Sequence, residues 1–434
     1  MAIDLTQHVR TNAAPLDRVS PIAAKLVGSE ILKIAAEIRA LMAQGKAICN
    51  LTVGDFDPKQ FPIPEVLRQN ITDAYAAHET NYPPSNGMPE LRSAVQRFYE
   101  RELGLKLPIE SILIASGARP VIYGIYRAVV AEGDEVVYPV PSWNNNHYVT
   151  MLGAKGVTVK CGPESRFLPT RESLLATLPT ARLVCLNSPL NPTGTAMSRD
   201  ELFGISEAIV KENELRQRNG QRPVYLMYDH IYWMLTAKGT THHTPPELIP
   251  EMARYTIFVD GISKAFASTG VRVGWAVGPV DVIDRMSAIL GHVGAWAPRA
   301  EQIATGKLLD DTASIATYLS HLRGELATRL NALHEGFQKL KAGGLPVDSL
   351  SPEGAIYLTV RVHPFGKSRD GKKLETNEDV RKLLLEAAGV GVVPFQAFGY
   401  PGDDGWFRLS VGAVSLRDIE DAMPRIGEAL RSLS

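Results

Sequence analysis

Four stretches of the chain end an apolar run in a residue able to do chemistry. Residues 112–115 lead into Ser116-Gly117-Ala118-Arg119 and residues 182–186 into Asn187 and then Asn191-Pro192-Thr193-Gly194; residues 224–228 lead into Asp229, and residues 256–259 into Asp260 and Lys264. Such runs read as strands of an open parallel sheet, where ligands sit in the crevice at the carboxyl ends. A lysine enclosed at such an end loses part of its preference for the charged form and becomes a usable amine nucleophile, able to form a Schiff base with an aldehyde. Taken alone, Lys264 reads rather as a solvated lysine closing a turn, and only its context points to chemistry. Beyond it, Arg272 lies in Gly270-Val271-Arg272-Val273-Gly274, where close backbone approach lets a guanidinium fork onto phosphate. The turn at 116–119 precedes a helical pattern over 121–130, so its N–H groups can hold a phosphate, or simply connect strand to helix. Asp229 has no charge partner in its own run and must find a cation or strong donor in space, such as a protonated ring nitrogen, unless it caps a helix. Tyr232 is spaced to offer its hydroxyl to the same ligand or to pack as a core aromatic.

The elements that must position these residues are legible from periodicity. Seven short β-rich runs, at 112–115, 135–138, 157–160, 182–186, 224–228, 256–259 and 273–277, alternate with longer helical patterns, which predicts an α/β domain with a largely parallel sheet. Ile31, Ile34, Ile38 and Leu41 recur at helical spacing and predict an amphipathic helix over 31–45. After a helical stretch at 313–342, strands are predicted at 354–360, 390–393 and 406–410, with a loop at 367–373 and a helix at 416–433. This second regime reads as a smaller α+β domain.

Composition narrows the function classes. The 434 residues carry 46 Lys plus Arg against 47 Asp plus Glu, a formal net charge of -1, so no field is built to attract polyanions or anionic lipid. Nucleic acid and membrane are excluded as expected partners, and too few residues precede the first helix for a helix-turn-helix domain. Cys49, Cys161 and Cys185 form no CxxC pair, which suits a reducing compartment and rules out a cysteine-based zinc site. His242-His243 reads as an exposed polar loop, so no metal is expected. The start, MAIDLTQHVR, lacks the basic flank and apolar block of a secretory signal, and no long apolar span follows. A cytoplasmic location is expected.

Taken in order, Asn191-Pro192-Thr193-Gly194, Asp229-His230-Ile231-Tyr232, Ser263-Lys264-Ala265-Phe266-Ala267 and the segment 270–274 resemble the class I/II aminotransferases of pyridoxal-phosphate fold type I. The likeness is greatest to the bacterial aspartate aminotransferases and spans nearly the whole chain. It includes Tyr82-Pro83-Pro84 with Gly87-Met88-Pro89-Glu90-Leu91-Arg92, and Gly133-Asp134-Glu135-Val136-Val137. The resemblance implies a large cofactor-binding domain over residues 55–320 with a mostly parallel seven-stranded sheet. It also implies a smaller α+β domain built from both chain ends, residues 1–54 and 321–434.

Carried over residue by residue, it implies that Lys264 binds pyridoxal 5'-phosphate covalently, with Ser263 beside it. Asp229 would pair with the ring nitrogen, Asn191 and Tyr232 with the ring oxygen, and Trp143 would stack on the ring. Gly117, Ala118, Arg119 and Arg272 would surround the phosphate, and Tyr82 would reach the phosphate of the neighbouring subunit of a homodimer. Arg408 would fork onto the substrate α-carboxylate, assisted by Asn191 and the backbone at Gly54. The implied activity is ping-pong transfer of an amino group between an L-amino acid, aspartate or glutamate, and a 2-oxoacid. Aromatic or broad specificity and a β-lyase are the alternatives. Arg119 falls where the resembling enzymes carry a lysine for the distal carboxylate; that role, and one in neutralising phosphate or capping a helix, both stay open. Ile31 replaces a substrate-contacting threonine, His230 replaces an acidic residue, and Trp406 adds an aromatic before Arg408.

Overall fold

The computed structural model describes residues 2–9, 18–26, 28 and 30–434; Met1 and Arg10 of the N-terminal stretch lie outside them. Seven strands, β1 (Ile112–Ala115), β2 (Glu135–Val140), β3 (Lys155–Lys160), β4 (Ala181–Asn187), β5 (Tyr225–Asp229), β6 (Thr256–Gly261) and β7 (Gly274–Val277), form one sheet in the order β1-β7-β6-β5-β4-β2-β3. Each coincides with a predicted run to within a few residues. Neighbours are parallel except β7, which runs antiparallel to both β1 and β6. Side chains alternate between two cores: Ile112, Ile114, Leu226, Tyr228 and Phe258 pack on one face, and Leu113, Ala115, Tyr225, Met227 and Ile257 on the other. Helices cover both faces, which is why the strands read as continuous apolar runs rather than half-polar ones.

The antiparallel β7 decides how the site is laid out. Gly274 pairs with both Gly261 and Ala115, so the first residue of β7 lies at the edge where β1, β4, β5 and β6 end. A residue facing that edge therefore precedes β7, as Arg272 does, whereas on the parallel strands it follows. The crowding there requires glycine: a Cβ at Gly274 would lie 2.7 Å from the carbonyl carbon of Gly117.

A second, antiparallel sheet orders Val393–Pro394, Trp406–Ser410, Tyr357–Val362 and Val347–Ser349. Two strand expectations are corrected here. The run at 390–393 is divided between sheets, because Val390–Gly391 pairs in parallel with Cys49–Asn50 while Val393–Pro394 joins Trp406–Ser410. The run at 354–360 begins as a strand only at Tyr357: Gly354 bridges Thr236, and Ala355 turns through a positive φ of 59°. The expected loop at 367–373 carries a short pairing of Ser368–Arg369 with Lys372–Lys373. Helix Glu30–Ala43 lays Ile34 and Ile38 on Val393, Phe395, Phe398 and Trp406. The chain that follows is laced to the C-terminal sheet, Ser410 N–H donating to Leu51 O and Asp57 N–H to Gly412 O, each at 2.8 Å. No helix of the described residues is long and apolar enough to cross a membrane.

Candidate active site

At the shared strand edge lies a cavity of about 650 Å³, the size of a small-molecule or cofactor site. Of the residues singled out in the sequence it brings together Ile31, Gly54, Ala118, Arg119, Trp143, Asn191, Asp229, Tyr232, Ser263, Lys264, Arg272 and Arg408. Gly117 stands just outside as the turn on which Arg272 packs. Tyr82 does not line the cavity: it is 81% exposed, its ring edge-on to Trp296 at 5.3 Å.

Lys264 lies on the single helical turn Ile262–Ala265 that follows β6. Its Nζ donates to Gly54 O at 2.6 Å. Burial pushes its pKa down to about 8, reinforced by Arg408, Arg119 and Arg272 and opposed by Asp55, so near neutral pH a sizeable fraction is free amine. Asp229 ends β5. Burial pushes its carboxyl up to about 7, against a single stabilising donor, the Ile231 N–H at 3.1 Å from Oδ1. No cation pairs with it among the described residues, so a charged carboxylate here is left short of a partner.

The features suited to an anion are an open helix N-terminus and two guanidinium groups. Helix Ala118–Val129 begins at Gly117, which has φ 94° and no side-chain cap, leaving its first N–H groups open. A Cβ at Gly117 would run into the Arg272 guanidinium. Arg272 is held by donating from Nη1 to Thr269 O at 2.7 Å and from Nη2 to Ser116 O at 2.8 Å. Its φ of 63° is a left-handed conformation costing about 1–2 kcal/mol, consistent with strain kept at a functional position. Arg119 stacks over Trp143, its guanidinium carbon 4.7 Å from the ring centroid.

Arg408 comes from the other sheet and is 1% exposed. Its Nη2 donates to Thr52 O at 2.6 Å and its Nη1 to Asn191 Oδ1 at 3.2 Å, while Nε has no partner. Tyr357 and Phe398 pack on the guanidinium at 4.8 and 4.9 Å. No acidic side chain of the described residues pairs with it, so a buried cation faces the cavity uncompensated. Tyr232 and Tyr357 share a hydroxyl hydrogen bond of 2.6 Å.

Sequence reasoning missed Tyr357, Asp55 and Arg39 in the cavity wall, and treated Asn187 only as a strand end. Asn187 is a local brace: it donates from Nδ2 to Asp229 O at 2.8 Å and accepts the Asn191 N–H on Oδ1 at 2.8 Å. Asp55 accepts from Thr269 Oγ1 at 2.7 Å and so ties the Gly54 segment to the loop after Lys264. In the sequence Tyr357 was only one aromatic within the run predicted as a strand at 354–360. The expectation of an exposed loop at His242-His243 is corrected: His242 folds in, stacking on Tyr228, with its Nε2 3.3 Å from His230 Nδ1. Among the described residues no three His, Cys, Asp or Glu side chains converge as a metal-ligand set.

The crystal structure of the aspartate aminotransferase from Rhizobium meliloti superimposes with a TM-score of 0.87 at 31% identity, covering 96% of this chain and all of that one. The fold is thus fold type I of the pyridoxal-phosphate-dependent transferases. The family model for class I and II aminotransferases matches residues 46–426, and the chain belongs to that family. The aspartate aminotransferase of Rhizobium meliloti strain 1021 is 32% identical over 424 residues, 97% of each chain. The probable aspartate/prephenate aminotransferase of Rhizobium leguminosarum bv. phaseoli is 31% identical over 422 residues, covering 95% of this chain and 97% of that protein. The protein is an aminotransferase.

Proposed function

We propose that the cofactor is pyridoxal 5'-phosphate and that the amino donor is aspartate or glutamate, with a 2-oxoacid as acceptor in a ping-pong cycle. One observation carries the cofactor assignment: Asp229, half-buried and without a cation among the described residues, lines the same cavity as Lys264, and a protonated ring nitrogen supplies the missing charge. The residues fit the rest of the group as well. The open helix N-terminus after Gly117, with Ala118, Ser263 and Arg272, suits a phosphate, and Trp143 offers a ring face. Tyr82, exposed beside Trp296, is assigned to the phosphate of a second subunit, making the working unit a homodimer.

When bound, pyridoxal phosphate supplies an electron-withdrawing ring that spreads the charge left on the substrate Cα. Asp229 holds the proton on the ring nitrogen. Asn191 and Tyr232 donate toward the ring oxygen, with Tyr357 fixing the Tyr232 hydroxyl. Arg408, assisted by Asn191 and the Gly54 backbone, grips the α-carboxylate and so sets which Cα bond faces Lys264. Lys264, displaced by the incoming amine, takes the Cα proton on Nζ and returns it further along; a pKa near 8 lets it act as base and then as acid.

Relatives named for aspartate, together with Arg119 free of any acidic partner among the described residues, support an acidic donor. Broad or aromatic specificity is the second reading, favoured by the apolar wall of Ile31 and Ala35. We further assign residues 55–320 to a large domain, and residues 1–54 and 321–434 to a small one, from the pairing of Cys49–Asn50 with Val390–Gly391. Three buried free cysteines suit a cytoplasmic location. The deciding measurement is a panel of amino acids offered to the cofactor-loaded enzyme without an acceptor. One equivalent of 2-oxoacid per subunit, fastest with aspartate or glutamate, is expected; release of ammonia would mean a lyase.

A further inference from the structure

Behind the strand ends that carry Asp229 and Lys264 lies a cluster of polar side chains that the transamination roles do not use. His230, Tyr99 and Asp260 are buried to 0%, 0% and 2% exposure. Tyr99, on helix Pro89–Leu103, puts its hydroxyl 2.9 Å from His230 Nε2 and donates to Asp260 Oδ2 at 3.1 Å. Trp233 Nε1–H donates to the same Oδ2 at 3.0 Å, and Trp275 Nε1–H to the Tyr99 oxygen at 3.3 Å. One set of hydrogens satisfies every group: Tyr99 gives its proton to Asp260, His230 donates from Nε2 to the Tyr99 oxygen, and His230 Nδ1 accepts from His242 Nε2. Burial keeps His230 neutral, consistent with that arrangement.

Its location gives the cluster a purpose. Asp229 and His230 are adjacent at the end of β5, and successive residues point to opposite sides, so the side chain next to the cavity carboxylate is the one gripped from behind. Asp260 performs the same service for the lysine. Its Oδ1 accepts the Gly261 N–H at 2.7 Å, which shapes the turn from β6 into the helical turn bearing Lys264. The backbone joins the two strand ends once more, through His230 N–H to Val259 O at 3.2 Å. Packing alone does not require this: Phe258 and Trp233 already flank the His230 ring, and an apolar set would fill the space without burying a carboxylate. A fully satisfied polar network instead specifies one geometry.

We propose that Tyr99, His230 and Asp260 are positioning residues of the transamination, a clamp that locks the Asp229 carboxylate and the Lys264 amine at the separation required by the cofactor ring between them. The inference rests on the cofactor reading above. It is tested with Tyr99→Phe, which removes one hydroxyl, and with Trp233→Phe, which removes one donor to Asp260, should the first fail to fold. The expected result is a loss of roughly ten- to a hundredfold in kcat with KM for the amino donor little changed. The apoenzyme should bind pyridoxal phosphate more weakly, and the induced circular dichroism of the bound chromophore, which reports ring orientation, should change. A variant that melts lower but keeps wild-type kcat, cofactor affinity and dichroism would overturn the clamp and leave the cofactor reading standing. A wild-type protein that binds no pyridoxal phosphate would overturn both.

Discussion

The two walls of the cavity are built in different ways. One wall, with Lys264, Asp229, Arg272 and the Gly117 turn, comes from a single sheet edge, each group within a few residues of a strand end. The other, with Arg408, Tyr357, Gly54, Ile31 and Arg39, is assembled from an N-terminal helix, the segment after Cys49–Asn50 and two strands of the C-terminal sheet. The first wall carries its groups on the strand ends of one sheet, suited to a group that stays. The second brings long side chains from separately packed elements, suited to ligands that come and go. A sheet edge delivers groups in register because neighbouring strands are spaced by hydrogen bonds. An assembled wall depends on how two bodies pack and offers more freedom to change specificity.

That contrast can be tested from its strongest side downward. On the roles proposed for Lys264, Lys264→Ala removes both the covalent anchor and the base, and turnover should fall by about 10⁴-fold or more, with loss of the cofactor's bound absorbance. Asp229→Ala should cost about 3–5 kcal/mol, read as loss of kcat with all donors alike, since the first wall serves every substrate. Arg408→Ala should cost about 2–5 kcal/mol in kcat/KM while leaving the absorbance of the cofactor-loaded enzyme unchanged. A variant of Arg408 that lost cofactor, or turned over normally, would erase the division between the walls.

Smaller effects sharpen it. Arg119→Leu should lower kcat/KM for aspartate about tenfold more than for an apolar amino acid, a difference near 1.4 kcal/mol; equal losses would make Arg119 part of the first wall, a phosphate or structural residue. A pH effect follows from Asp229 in the apoenzyme. Its folded pKa of about 7 lies above the ordinary aspartate value of 3.8, so between those values the folded state holds the proton more often than the unfolded state. Its contribution to stability is full at the acid end of that window and is lost as pH rises through about 7. The melting temperature of the wild-type apoenzyme relative to Asp229→Asn should therefore decline from pH 4 to pH 7; a flat difference would mean the carboxylate is ionised throughout.

The large sheet, its strand ends and the residues following them were legible in the sequence because parallel strands covered on both faces are apolar throughout, and a polar residue ending such a run stands out. Asp229 was legible for that reason, Asn191 and Lys264 because they follow such ends within a few residues, and Arg272 because glycines flank it; family resemblance extended the reading to Arg408 and Gly54. Tyr357 was not, since an aromatic at an inward strand position looks the same whether it fills a core or faces a ligand. The division of residues 390–394 between two sheets was hidden as well, because alternation defines a strand without naming its partner. His230 stood out in the sequence only as an odd neighbour of Asp229; that it closes onto Tyr99 and Asp260 depends on a helix lying 131 residues earlier. Local pattern settles which residues end up inside and at which strand end, because period and burial are short-range properties. Which groups then meet across elements is decided only by long-range packing, and this is where the second wall of the cavity and the Tyr99, His230 and Asp260 network behind Asp229 were made.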